Sequence, residues 1–137
     1  MLPIENNLIV ETILSNFPEV QGIYLFGSHA TNSSTHNSDI DIAFLTLEGT
    51  VILPLQIFHV KTELEVKFGK DIDLIQLNSA STVFQFQIVT TAIQLFAKNP
   101  SFLLRYEAMV LSRYQRFNEE RKEIIEEIIS SGKVYSN

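Results

Sequence analysis

The 137-residue chain has no cysteine, so it can form neither a disulfide framework nor a thiolate zinc site. That absence fits a reducing, cytoplasmic setting. Its start, Met1-Leu2-Pro3-Ile4-Glu5, lacks a basic cluster followed by an apolar stretch, which argues against a secretory signal. No uninterrupted apolar run reaches the roughly 20 residues that span a bilayer, and no membrane association is expected. Basic residues are scarce as well, ten against sixteen acidic ones, for a net charge of −6. Proteins that grip a long polyanion usually present a basic face. Here the basic residues gather only near the end, at Arg105, Arg113, Arg116, Arg121 and Lys122, the last two among glutamates. Direct nucleic-acid binding is therefore not expected, whereas a small anion whose charge is met by metal is compatible. Internal repeats, low-complexity tracts and interdomain linkers are also missing. With 45% hydrophobic and 19% charged residues, the chain reads as one globular domain over residues 1–137.

The most informative stretch is GSHATNSSTHNSDID. Ten residues separate Gly27-Ser28 from Asp39-Ile40-Asp41. The Gly-Ser pair ends one apolar run, Ile23 to Phe26, and the aspartates begin the next, Ile40 to Leu45. Alternate strand residues share a face, so Asp39 and Asp41 point the same way. Aspartate is depleted in strands, and two close carboxylates oppose each other's ionisation. A divalent cation removes the conflict, and Mg²⁺ prefers such hard oxygen ligands. Taken singly, Gly27-Ser28 would be an ordinary turn and Asp39 a strand-end cap. Asp41, inside an apolar strand, resists that bland reading.

Hydrophobic periodicity predicts a helix over Glu5 to Phe17, a strand over Gly22 to Phe26 and a polar loop over Thr31 to Ser38, with room for a helical turn after Ser28. A central strand follows over Asp39 to Leu47, then a helix over Ile52 to Phe68 and a strand over Asp71 to Leu77. Ser79 or Ser81 caps the next helix, which runs to about Thr91, and Gln94 to Ala97 forms an edge strand. The chain closes with a long helix over about 101–131, striped by Leu103, Tyr106, Val110, Phe117, Ile124 and Ile128. The fold class is α/β (α+β): a small mixed sheet with flanking helices and a long C-terminal helix.

The strand-helix-strand order from Asp39 to Leu77 is a crossover, so its strands run parallel with their starts at one sheet end. Both begin with an acid-x-acid pair, Asp39/Asp41 and Asp71/Asp73. The short link from Phe26 sets Ser28 beside them. Phosphoryl or nucleotidyl transfer needs this: charge neutralisation on phosphates, which two metals about 3.5–4 Å apart provide. Asp39 and Asp41 would hold the cations. Asp73 or Asp71 would bind the metal nearer the attacking hydroxyl and help remove its proton. Gly27 permits close approach, and Ser28 offers a hydroxyl and a backbone N–H to phosphate. His29, His36 and His59 lack ligand spacing.

At LFGSHA, NSDIDIAFL and DIDLIQLNSAST the chain resembles the DNA-polymerase-beta-like nucleotidyltransferases. More narrowly it resembles the minimal nucleotidyltransferase (MNT) antitoxins paired with HEPN-domain ribonuclease toxins. The resemblance implies a nucleotidyltransferase-like fold and a protein adenylyltransferase (EC 2.7.7 class) that moves AMP from Mg-ATP to a tyrosine of its toxin. Such a protein acts as the antitoxin of a type VII-like pair and forms a hetero-oligomer with the toxin. It implies Gly27 and Ser28 as the nucleotide-phosphate turn, Asp39 and Asp41 as metal ligands and Asp73 as the third acid, with Asp71 its understudy. All three acids, Asp39, Asp41 and Asp73, are then both metal-binding and catalytic, with two Mg²⁺ ions. Many relatives carry arginine in the turn after Gly-Ser, where this chain has His29-Ala30-Thr31. Two other functions fit the same residues: an antitoxin that acts by binding alone, and a small-molecule nucleotidyltransferase.

Overall fold

A computed structural model describes residues 3–31, 34 and 38–131. The expected His36 and the tail after Ser131 lie outside the described residues. Four strands form one mixed sheet in the order β3-β2-β1-β4, built from β1 (Gly22–Phe26), β2 (Ile40–Leu45), β3 (Ile72–Gln76) and β4 (Ile93–Ala97). β2 pairs antiparallel with β1 and parallel with β3, and β4 closes the other side antiparallel to β1. The parallel pair follows from the crossover through α2 (Pro54–Phe68).

Alternation splits the core in two. Ile40, Ile42 and Phe44 of β2 join Ile23, Leu25, Ile72 and Leu74 on one face, covered by α1 (Pro3–Asn16) and α2 through Ile9, Ile13, Val60 and Leu64. Phe17 stacks on Phe44 at 5.4 Å between ring centroids. Ala43, Leu45 and Tyr24 face the other way, against α3 (Thr82–Thr91) and the first third of α4 (Pro100–Ser131). There Tyr106 donates to Gln85 Oε1 at 2.7 Å and Tyr24 to Glu107 Oε2 at 3.0 Å, which ties α4 to α3 and to the sheet. Burial, with Glu107 alongside, pushes the Tyr24 hydroxyl well above its ordinary range, so this tie is a neutral donor at any working pH.

Where the elements differ from the sequence expectation, a local competitor is visible. β2 stops at Leu45 and not Leu47, because the side chain of Asn78 takes over both backbone groups of Thr46, accepting from its N–H at 3.0 Å and donating to its carbonyl at 2.8 Å. α2 starts at Pro54 and not Ile52. Leu53, preceding proline, is held extended, and Gln56 Oε1 accepts its N–H at 2.8 Å. Ser81, not Ser79, caps α3, its hydroxyl accepting from Phe84 N–H at 3.1 Å. The α4 stripe packs only through Leu103, Tyr106 and Val110, whereas Phe117, Ile124 and Ile128 stay exposed.

Phe44 has no solvent exposure and sits in the central strand. Phe44→Ala should cost about 3–5 kcal/mol, read as a lower denaturant midpoint in urea unfolding.

Candidate active site

The site forms at the sheet end where β1 finishes and β2 and β3 begin. Register sets it. Asp41 lies beside Asp73 across the parallel pair, and beside Phe26, the last residue of β1, across the antiparallel one. Neighbouring strands are about 4.8 Å apart and paired residues project from one face, so the two carboxylates leave the sheet side by side. Asp39 precedes the first strand residue and is solvent-exposed, as is Asp73, while Asp41 is half-buried between them. Asp71, two residues before Asp73, shares its face but stands outside the strand, and its carbonyl accepts from Ile40 N–H at 3.0 Å.

After Phe26 the chain turns sharply through a single 3-10 turn, Gly27–His29, where Ala30 N–H reaches Gly27 O at 3.1 Å. Gly27 has φ +73, a left-handed conformation that side chains resist, and a Cβ there would fall on Asp41 Oδ2. The turn and the acid are thus in van der Waals contact, and only glycine allows it. The helical turn expected after Ser28 is present but brief.

Electrostatics show which groups share the site. Burial raises the Asp41 pKa above its ordinary 3.8, Asp73 raises it further and Asp39 adds to that, while His29 opposes them. Asp73 and Asp39 are thus the carboxylates whose charge bears on Asp41. Among the described residues no ion pair engages these aspartates. Nor do three carboxylate or imidazole groups there stand close enough for a ready cation cage. The acids share a rim and a field, and the exposed Asp39 and Asp73 keep the rotamer freedom to converge.

His29 was not among the expected site residues. It is buried, with Nε2 3.4 Å from the Ser38 carbonyl, so it links the Gly-Ser turn to the residue just before Asp39. The clue was its place directly after Gly27-Ser28, which periodicity gives no reason to weigh.

Comparison with known proteins shows the family. The family described as "Polymerase beta, Nucleotidyltransferase" matches residues 9–101, and the chain belongs to it. Within that family, the chain is 33% identical over 131 residues to the protein adenylyltransferase MntA of Shewanella oneidensis, covering 96% of this chain and 92% of that one. A putative protein adenylyltransferase of Methanocaldococcus jannaschii is 36% identical over 69 residues, half of this chain and 72% of the relative. Among solved structures, a toxin–antitoxin complex with AMP-PNP contains a chain that superposes with TM-score 0.77 at 34% identity, covering 90% of this chain and 98% of that one. A complex of a tri-AMPylated Shewanella oneidensis HEPN toxin with its MNT antitoxin gives TM-score 0.74 at 32% identity, covering 94% and 99%.

The raised Asp41 pKa fixes a sign. Below 3.8 the carboxyl is neutral in the folded and unfolded chain alike; above its folded pKa both are ionised, and folding bears the cost of the confined charge. Stability from this group therefore falls as pH rises. In divalent-free buffer Asp41→Asn should melt above wild type at neutral pH, and the gap should close as pH falls below 3.8. Calorimetry across that range measures it.

Proposed function

We propose that this chain is an Mg²⁺-dependent protein adenylyltransferase, the antitoxin of a type VII-like pair, that transfers AMP from ATP to a tyrosine of a cognate HEPN ribonuclease toxin. The carrying observation is the order of groups across three adjacent strands. Gly27-Ser28 follows β1, Asp41 is the second residue of β2 and Asp73 the second residue of β3, the edge of the sheet. Phosphates would bind at the turn, on the Ser28 hydroxyl and backbone N–H groups, and the acceptor would approach over the open edge beside Asp73. The names of the similar proteins, an adenylyltransferase and an AMPylated HEPN toxin bound to an antitoxin, support the same donor and acceptor.

In the reaction the tyrosine oxygen attacks the α-phosphorus, the bond to the β-phosphate oxygen breaks and pyrophosphate leaves. Asp73, exposed at the edge, accepts the phenolic proton. Asp41, flanked on both sides, holds the position between donor and acceptor. Its crowded charge fits the donor set of a hard cation, because the same three carboxylates that destabilise one another suit divalent coordination. Two Mg²⁺ ions held by Asp39, Asp41 and Asp73 would neutralise phosphate charge and favour in-line displacement. His29 keeps the turn and the Asp39 segment in step. Residues 1–137 act here as one domain, in the cytoplasm where ATP is at hand, within a hetero-oligomer with the toxin.

A second reading, neutralisation by binding alone, is favoured by α4. From Gln115 to Ser131 every residue is exposed, including Phe117, Ile124, Ile125, Ile128 and Ile129. That face is suited to a partner protein.

With labelled ATP, Mg²⁺ and the cognate HEPN protein, Asp39→Asn/Asp41→Asn should lower AMP transfer at least a hundredfold; unchanged transfer would remove both residues from the site. The same double variant should fail to protect cells, whereas full protection would favour binding over catalysis. Asp73→Asn should be nearly as damaging and Asp71→Asn mild, and equal losses would leave the third acid unassigned to Asp73. Gly27→Ala should weaken ATP binding tenfold or more by equilibrium dialysis, because its Cβ collides with Asp41.

A further inference from the structure

A second concavity lies at the opposite end of the same sheet. Thr46 and Asn78 follow the ends of β2 and β3, whereas Asp41 and Asp73 lie near their beginnings, about 16 Å away along the strand at roughly 3.3 Å per residue. This cavity, of about 410 Å³, is bounded by those strand ends, α3 and the first half of α4, and it shares no residue with the acid rim.

The amides at its base are held by the fold. Asn78 is bonded to Thr46 through both amide atoms, and Gln85 accepts from Tyr106 while donating to the Ala80 carbonyl at 2.9 Å. The lining also offers apolar surface from Phe102 and Met109, and two guanidinium groups. Arg105, Met109 and Arg113 stand one turn apart on a single face of α4, and all three line the cavity. Neither arginine has a carboxylate three or four residues away: Arg105 has Ser101, Phe102, Ala108 and Met109, and Arg113 has Met109, Val110, Arg116 and Phe117. Accordingly, neither makes an ion pair or hydrogen bond among the described residues, in a chain with six more acidic than basic side chains. The Arg113 charge also reaches inward, where it opposes the burial that raises the Tyr106 hydroxyl pKa. Glu48, the one carboxylate in the lining, pairs with neither arginine.

We propose that this cavity is a second ligand site, independent of the acid rim, for a small organic anion: an apolar or planar body against Phe102 and Met109, and one phosphate or carboxylate group on Arg105 and Arg113. The volume lies within the range of small-molecule pockets. The guanidinium fork matches both oxyanions.

The test uses phenyl phosphate and benzoate as probes, titrated by ligand-observed NMR into the full chain without divalent cations, with inorganic phosphate as the control. Saturable binding of at least one aromatic probe is expected, with inorganic phosphate at least tenfold weaker. Arg105→Ala/Arg113→Ala should weaken it tenfold or more, and Met109→Trp, which fills the cavity and keeps both charges, should do the same. These positions are exposed, so melting curves near wild type should show that the variants fold. Adenylyl transfer by the arginine variant should stay near wild type, which separates this site from the acid rim. Equal affinity in wild type and variants overturns the proposal, as does inorganic phosphate binding as well as the aromatic probes. If neither probe binds but the arginine variant loses toxin affinity, the face is a protein contact and the small-anion site is refuted.

Discussion

The parallel pairing of β2 with β3 is the constraint on which the rest depends. It fixes Asp41 next to Asp73, and because β2 also pairs with β1, it brings the end of β1 to the same place. A shift of one residue in either register would move an aspartate to the face covered by α1 and α2, into a layer of isoleucine and leucine. The apolar alternation that builds two cores therefore also aims the acids. Packing and chemistry are set by the same pattern.

The opposing demands at Asp41 explain the form of the turn. A half-buried carboxylate between two others is held at an energetic cost, which the fold limits by leaving Asp39 and Asp73 in water. The chain reaches the acid only by dispensing with a side chain at Gly27, so charge and close approach are concentrated in one contact. His29 contributes a counter-field from the buried side of the turn.

How much was legible in the sequence depended on whether the signal was local. Asp41 stood out because an acid inside Ile40-Ile42-Phe44 has no structural excuse, and the crossover between Asp39 and Leu77 made the parallel pairing readable. The strand boundaries were less so. Nothing near Thr46 announces that Asn78, far along the chain, will replace its ladder partner. Which of Asp71 and Asp73 pairs with Asp41 needed the register, since the two are equivalent in pattern. The Arg105–Arg113 cavity was out of reach because it is assembled from segments distant in sequence, and a periodicity argument sees only neighbours.

The distal half of α4 has a bearing on how long the molecule survives. Elements with few buried contacts open first, and an isolated helix of this kind gains little from propensity alone. Beyond Tyr114, whose ring stacks on Phe86, no core residue among the described residues holds the helix down. A protease meeting the uncomplexed molecule would therefore find its foothold in that segment. Turnover would then be decided by whether the isoleucine-lined side is sheltered, and the supply of intact protein would follow its state of association.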